Sequence, residues 1–245
     1  MKLRASLLLI AAACWATSGF ASSFVSHTSG HGMGNISNHK SFNQNDPLVY
    51  FQNPLFNGAY SSQNDTTGGN GNFATSYDNF TLSANTNITE AQWIGSYFNP
   101  PTQGTITGWT VSFYNTVGGA PGATLATFHM AGNDNETFLQ LDNLGDPAFL
   151  YMQAVNFAAT AGTEYWMSVV PDLGFPPQWG WEDGTGGDGA AYQCFLGTCA
   201  ALPEDLSFAL NGNSGPPPIP EPSSLVLLGT GLLGAAGALR RKFSV

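Results

Sequence analysis

Apolar and polar residues alternate along several short stretches of the central part of the chain. In Trp109-Thr110-Val111-Ser112-Phe113 the apolar side chains alternate with hydroxyls, which is the period of a strand with one buried face. Leu206-Ser207-Phe208-Ala209-Leu210 repeats this pattern. Further candidate strands, rich in β-branched or aromatic residues, lie at 79–84, 88–98, 124–131, 148–157 and 163–170. No stretch has a sustained helical stripe, so the pattern predicts an all-β, antiparallel sandwich or jelly roll over residues 73–212.

Residues 22–72 have a different composition, rich in Ser, Asn, Gly and His, with few apolar residues before Leu48. Such a composition predicts a loosely ordered segment with one candidate strand near residues 48–51. His27, His31 and His39 lie in it, separated by three and then seven residues. Because this spacing matches no compact zinc ligand set, the segment is better interpreted as a polar linker.

The first 21 residues have the layout of a secretory signal peptide. Lys2 and Arg4 precede a short apolar run, and small residues follow it up to Ala21. The run is shorter than the roughly 20 residues that a bilayer span requires. Residues 1–21 are therefore predicted to form a signal helix for a Sec-type export machinery, with cleavage after Ala21. A lipoprotein signal using Cys14 is the alternative, but the usual aliphatic residue three positions earlier is missing.

The C-terminal residues combine a motif, an apolar segment and a cluster of cations. A Pro-rich linker at 213–219 leads to Pro220-Glu221-Pro222, and residues 223–239 then contain no charge. A helix of that length rises about 25 Å, which is just enough for a transmembrane helix. Arg240, Arg241 and Lys242 follow at once and are expected to stay on the cytoplasmic side as a basic stop.

This arrangement, from Pro220 to Val245, closely resembles the PEP-CTERM sorting signal of Gram-negative bacteria. The resemblance implies that an exosortase in the inner membrane recognises residues 220–245 and processes the chain near Pro220-Glu221-Pro222. The protein would be exported, anchored in the inner membrane by its C-terminal helix until processing, and then located at the cell surface or in the extracellular matrix.

The central residues resemble the β-sandwich bodies that often precede such tails. The resemblance covers about residues 74–212 and implies a fold rather than a reaction. Members often have an Arg in the final strand, where this chain has Ala209 or Leu210. The segments that carry the resemblance are Tyr77-Asp78-Asn79-Phe80, Trp93-Ile94-Gly95, Phe113-Tyr114, Gly119-Ala120-Pro121-Gly122, Ala161-Gly162-Thr163-Glu164-Tyr165-Trp166, Trp179-Gly180-Trp181 and Asp205-Leu206-Ser207-Phe208.

Charge is distributed unevenly along the chain. Of its 6 Lys and Arg residues, only Lys40 lies between the signal peptide and the basic end, whereas all 16 Asp and Glu residues do. Nucleic-acid affinity depends largely on Lys and Arg neutralising phosphates. The composition therefore excludes a nucleic-acid partner.

Cys194 and Cys199 remain after export and are expected to form a disulfide, because the compartments outside the inner membrane are oxidising. Four intervening residues without further ligands do not make a zinc site. The bridge is expected to brace a local loop.

The central residues contain no recognisable catalytic motif. Their only His is His129, inside a candidate strand, and no nucleophile elbow or phosphate-binding loop is present. A glycoside hydrolase would need two facing carboxylates, and the sequence cannot place any two of Glu164, Glu182 and Asp183 opposite each other. We expect no catalytic residues and no enzyme activity.

Sugar binding is the stronger functional alternative. Trp179, Trp181, Glu182 and Asp183 combine planar aromatic rings with carboxylate acceptors, a mixture that can orient a carbohydrate in a cleft. Alternatively, both Trp residues fill one end of the sandwich core. No cofactor is expected, although Asp183 and Asp188 are weak calcium candidates in a Gly-rich stretch that lacks EF-hand spacing.

The sequence thus predicts an exported, non-catalytic protein of the cell surface or exopolysaccharide matrix. The alternative is a carbohydrate-binding β-sandwich module whose partner is an extracellular polysaccharide, with or without calcium.

Overall fold

The computed structural model describes residues 47–214, which fold into fourteen strands arranged in two sheets. No helix occurs among these residues, and hence none that could cross a bilayer. The strands are β1 (Leu48–Ser61), β2 (Gln63–Asp65), β3 (Gly71–Thr81), β4 (Thr86–Phe98), β5 (Ile106–Val117), β6 (Ala120–Ala131), β7 (Thr137–Leu141), β8 (Pro147–Ala159), β9 (Glu164–Leu173), β10 (Gln178–Thr185), β11 (Ala191–Phe195), β12 (Thr198–Leu202), β13 (Asp205–Leu206) and β14 (Phe208–Ser214).

Each sheet has seven strands. The first sheet has the order β13-β10-β1-β14-β4-β8-β7, and the second has the order β12-β11-β3-β2-β9-β5-β6. Every pairing is antiparallel except the short contact of β2 with β9, where Asn64 lies opposite Asp172. The predicted antiparallel, all-β body is therefore confirmed.

The core lies between the two sheets and consists largely of aromatic rings. Trp93 of the first sheet packs edge-to-face on Trp109 of the second, with ring centroids 5.0 Å apart. Phe113 stacks on Phe157 at 4.4 Å. Aromatic side chains each bury a large apolar area, so a few such pairs can join two sheets without a helix. The largest fully buried rings are Trp93, Trp109, Trp166, Trp179, Trp181, Tyr97, Tyr151, Phe80, Phe113 and Phe208.

The sandwich begins at Leu48 rather than at residue 73, which confirms the predicted strand near residues 48–51 and contradicts the prediction of loose order for the strand residues that follow it. The segment contains β1, β2 and the start of β3. Its buried residues are polar: Ser62 donates to the carbonyl of Val169 at 2.6 Å, and Gln63 donates to the carbonyl of Leu173 at 2.9 Å. Hydrogen bonds to the neighbouring strand satisfy these polar groups, and burial of this kind leaves no apolar pattern in the sequence.

The other end of the sandwich also differs from the prediction. β14 continues to Ser214, so the first two residues of the predicted 213–219 linker belong to a strand. The signal peptide, the three N-terminal histidines, the Pro220-Glu221-Pro222 motif, the transmembrane helix and the basic stop all lie outside the described residues.

Candidate functional site

Trp179 and Trp181, the predicted sugar-binding pair, both point into the core. Each is 0 % exposed. The indole of Trp179 donates to the hydroxyl of Tyr151 at 3.2 Å, and that of Trp181 donates to the carbonyl of Ser207 at 2.8 Å. Gly95 allows this packing, because a Cβ there would lie 2.0 Å from Cζ2 of Trp179. The prediction that these rings offer a face to a sugar is therefore wrong, and they fill the core.

The acidic residues predicted beside them lie in separate environments. Glu182 is fully buried on the outer face of the first sheet, where its Oε1 accepts from the hydroxyl of Ser96. Asp183 accepts from the backbone N–H of Asn57 at 3.0 Å. Asp188 accepts from the side-chain amide of Asn79 at 3.0 Å.

The calcium candidates Asp183 and Asp188 thus hydrogen-bond to different strands, Asp183 to β1 and Asp188 to β3. Within residues 47–214, no three His, Cys, Asp or Glu side chains are grouped so that they could hold a metal ion. Burial raises the pKa of Asp183 to about 6, and nearby Glu204 and Asp142 oppose its ionisation further.

A different arrangement, which we call the outer groove, lies on the solvent-facing side of the second sheet. Alternation within β5 places Trp109, Val111 and Phe113 in the core, so the intervening hydroxyl residues face outward. The groove has a volume of about 270 Å³. It is lined by Asn64, Asn72, Thr75, Tyr77, Thr110, Ser112, Tyr114, Ser168, Val170 and Asp172.

A row of hydroxyls crosses four strands on the outer face of the second sheet, and its members on β3, β9 and β5 line the outer groove. Tyr77 of β3 lies opposite Ser168 of β9, Ser168 lies opposite Ser112 of β5, and Ser112 lies opposite Thr127 of β6. Ser168 is 1 % exposed and Ser112 is 4 % exposed, although both face outward. Their hydroxyls have partners, because Ser168 bonds to the hydroxyl of Tyr114 and Ser112 to that of Thr127, both at 3.0 Å.

Two tyrosines form the aromatic part of the groove. The rings of Tyr77 and Tyr114 pack edge-to-face with centroids 5.3 Å apart. Burial and the proximity of Tyr114 raise the pKa of Tyr77 above its ordinary value, so its hydroxyl stays neutral and can donate a hydrogen bond.

Amides and one carboxylate lie in the same groove. Asn64 donates to Oδ1 of Asp172 at 2.6 Å, and the hydroxyl of Thr75 donates to the side-chain oxygen of Asn72 at 3.2 Å. Asp172 is the only charged residue among those that line the groove. The arrangement therefore offers neutral donors and acceptors beside two aromatic rings, the chemistry of a site for a polar, uncharged ligand.

His129 and the two cysteines lie outside this lining. His129 faces solvent on β6, with Nδ1 3.0 Å from the hydroxyl of Thr110. Cys194 and Cys199 are joined by a disulfide and lie opposite each other in the β11–β12 hairpin. The hydroxyl of Thr110, which lines the groove, is thus paired with an imidazole, whereas the disulfide-bonded cysteines offer no thiol.

The described residues carry charge of one sign only. Residues 47–214 contain 14 of the 16 Asp and Glu residues, all except Asp46 and Glu221, and none of the six Lys and Arg residues. Within residues 47–214, therefore, no carboxylate has a Lys or Arg partner. This composition also determines which ligands the outer groove can accept.

The comparisons with known proteins identify the C-terminal segment. No curated protein matches the chain. The family model of the PEP-CTERM protein-sorting motif matches residues 218–242, which include Pro220-Glu221-Pro222 and the basic stop. This motif marks proteins that are exported, held at the membrane and processed by an exosortase. The chain therefore has a PEP-CTERM protein-sorting motif behind an all-β body, and this motif implies export.

Proposed function

We propose that the protein is a non-catalytic component of the cell surface or of the exopolysaccharide matrix, delivered there by exosortase processing. The observation that carries this proposal is the sorting motif at residues 218–242, which follows a β-sandwich stiffened by an aromatic core. A sandwich of this kind supplies a rigid, soluble body, and its high negative charge opposes non-specific association. The final location and the lack of activity are parts of the proposal.

The lack of catalysis is supported by the groups that line the outer groove. Hydrolysis of a glycosidic bond normally needs two carboxyl groups flanking the bond. The groove lining contains one, Asp172, and Asn64 already occupies its Oδ1. The residues that line the groove include no second carboxyl group.

Processing and location can be tested by expressing the full chain in a host that has an exosortase and in a matched strain that lacks it. We expect the exosortase strain to release a product whose intact mass ends near Pro222, found at the cell surface or in the matrix fraction. The strain without exosortase should retain the full-length chain in its membrane fraction. A full-length chain ending at Val245 in both strains would contradict the proposal.

A variant with Pro220, Glu221 and Pro222 all replaced by Ala separates recognition from export. It should be exported and remain membrane-bound in the exosortase strain. Normal release of this variant would show that the motif does not direct processing.

A second function, binding of an extracellular polysaccharide, is favoured by the geometry of the outer groove. Its lining has hydroxyl residues from β3, β9 and β5 in register, and the rings of Tyr77 and Tyr114 pack together there. Ligand sites are typically concave and combine aromatic surface with a few oriented polar groups. The residues differ from those predicted, because Tyr77 and Tyr114 take the place of Trp179 and Trp181.

A further inference from the structure

We propose that the ligand of the outer groove is an uncharged, hydroxyl-rich polysaccharide, and that polyanionic polysaccharides are rejected. This inference rests on the second function above, since it specifies the ligand of the same groove. Three features support it. Residues 47–214 contain no Lys or Arg, the polar groups of the groove are mainly hydroxyls and amides, and contacts within the protein hold these groups in place before a ligand binds.

The first feature excludes acidic polymers such as polyuronates. A polyanion gains affinity from Lys and Arg, and residues 47–214 contain neither. The 14 Asp and Glu residues of this part of the chain instead produce a repulsive field. That repulsion extends over a Debye length of about 8 Å at physiological salt, and Asp172 lies within the groove itself.

The second feature is the type of polar group in the lining, which matches the hydroxyls of a neutral sugar; the negative field alone would attract a cationic polymer as well, so the test includes one. An ammonium group in a groove needs carboxylates or several carbonyl acceptors directed at it. The single lining carboxylate, Asp172, already accepts a 2.6 Å hydrogen bond from Asn64. The other polar groups of the lining are hydroxyls and amides, which pair equally well with the hydroxyls of a neutral sugar because both partners donate and accept.

The third feature is that the groove is formed before the ligand arrives. The hydroxyl of Tyr114 is held by Ser168 at 3.0 Å, and the ring of Tyr77 packs against that of Tyr114. Tyrosine loses little conformational entropy on binding, and these contacts reduce the loss further. A sugar can therefore place its C–H face on the rings and its hydroxyls on Thr110 and Asn72, two lining residues that solvent reaches, without rearranging the sheet.

The test measures binding of the full chain, held in a detergent without a sugar headgroup, to three classes of polymer. The neutral class contains dextran, galactomannan, xylan and mixed-linkage β-glucan, the anionic class is alginate, and the cationic class is chitosan. We expect at least one neutral polymer to bind, with a Kd that changes less than twofold between 50 and 500 mM NaCl. Alginate should show no binding at any salt concentration.

Two variants connect the binding to the groove. Thr110→Val keeps the shape of the side chain and removes its hydroxyl, and Tyr77→Ala removes one ring. Each should weaken binding of the neutral polymer at least fivefold, while Thr198→Val, an exposed threonine on β12 of the same sheet, should leave it unchanged. Far-ultraviolet circular dichroism and thermal unfolding verify that Tyr77→Ala is folded, and Thr110→Val provides the decisive result if it is not.

Each other outcome overturns a different claim. Salt-sensitive binding of chitosan alone, or binding of alginate, would refute the inference that the ligand is uncharged and leave polysaccharide binding intact. Failure of all polymers would refute polysaccharide binding itself, without affecting the proposed sorting. Binding of a neutral polymer that is indifferent to Thr110→Val would place the ligand outside the outer groove.

Discussion

The hydroxyl of Tyr151 on β8 and the indole N–H of Trp179 on β10 form a hydrogen bond of 3.2 Å across β4, which pairs with both strands. Tyr151 in turn donates to Oε1 of Glu136 at 2.6 Å, and Tyr97 donates to the same oxygen at 2.5 Å. Glu136 lies at the end of the turn that leads from β6 to β7, so these bonds fix that turn to the aromatic core. Burial raises the pKa of Tyr151 well above its ordinary value, which keeps it a donor at any physiological pH.

Replacing Tyr151 by Phe should therefore destabilise the protein with little change in packing. The variant leaves the indole N–H of Trp179 without its acceptor in a fully buried position and removes one donor from Glu136. We expect a loss of about 1–3 kcal/mol, which urea denaturation would measure. Tyr114→Phe is the matched control, because water can replace its hydroxyl at the groove, and it should cost less than about 1 kcal/mol. Equal losses in the two variants would contradict this interpretation.

Asp65 organises the turn between β2 and β3 through its two carboxylate oxygens. Oδ1 accepts from the backbone N–H groups of Thr67, Gly68 and Phe175 at 2.8–3.0 Å, and Oδ2 accepts from Asn70. Burial by itself would raise the pKa of Asp65, but these backbone hydrogen bonds outweigh it and hold the pKa well below its usual range.

Asp65→Asn should accordingly lower stability by about 2 kcal/mol at pH 7, because a neutral amide accepts fewer and weaker hydrogen bonds. The folded pKa lies below the unfolded value of about 3.9, so the stabilisation is complete above that pH and is lost as the pH falls through and below it. Stability measured in urea from pH 7 to pH 2 should fall more steeply for the parent than for the variant. Parallel curves would show that Asp65 does not contribute through its charge.

The regions that the sequence predicts well are those where burial and hydrophobicity coincide. β5, β8 and the last strand alternate as their patterns predict, with Trp109, Val111 and Phe113 in the core. β2 and the part of β1 beyond the predicted strand at 48–51 were missed, because the buried side chains there, such as Gln63 and the neighbouring Ser62, are polar and are satisfied by distant strands. The pattern of apolar and polar residues within a segment does not reveal hydrogen-bond partners that lie more than 100 residues away in the sequence.

The candidate site was misplaced for a related reason. Trp179 and Trp181 have the composition of a sugar site, but a strand in a sandwich directs every second residue inward, and here these are the tryptophans. The outer groove depends on the register of Tyr77 with Ser168 and of Ser168 with Ser112. The alternation in the sequence is enough to place Thr110 and Ser112 on the polar face of β5. The position of Tyr77 beside them depends on the strand order, which the sequence does not reveal.

The disulfide between Cys194 and Cys199 closes a small hairpin in the second sheet. β12 is an edge strand and is mostly exposed, so little else depends on its position. Because the loop between the cysteines is so short, the chain-entropy model gives a stabilisation of roughly 2 kcal/mol. Cys194→Ser with Cys199→Ser should lower stability by no more than that, and hydrogen exchange should increase at β11 and β12 while the core strands β5 and β9 stay protected. Faster exchange throughout the core would refute a purely local role.

Glu182 is a fully buried carboxylate with two oxygens in different environments. Oε1 accepts from the hydroxyl of Ser96, whereas Oε2 has no hydrogen-bond partner within residues 47–214. Burial raises the pKa of Glu182 well above its ordinary value, and the negative charges of Asp142, Asp183 and Asp146 raise it further, although the bond from Ser96 acts in the opposite direction. Within residues 47–214 no Lys or Arg is available to neutralise it.

Glu182→Gln should therefore stabilise the protein at pH 8 by at least about 1 kcal/mol. The parent must either bury a negative charge or take up a proton when it folds, and both cost free energy, whereas the amide does neither. The folded pKa lies above the unfolded value of about 4.3, so the parent loses stability as the pH rises from that value toward the folded pKa, and the variant escapes this loss. Urea denaturation at pH 8 and pH 5 should find a larger gain at pH 8. Glu164→Gln, at the partly exposed start of β9, is the matched control and should change stability by less than about 0.5 kcal/mol at either pH. Destabilisation by Glu182→Gln at pH 8 would mean that the ionised carboxylate is satisfied by a bound cation in solution, and dialysis against a chelator would then remove the difference.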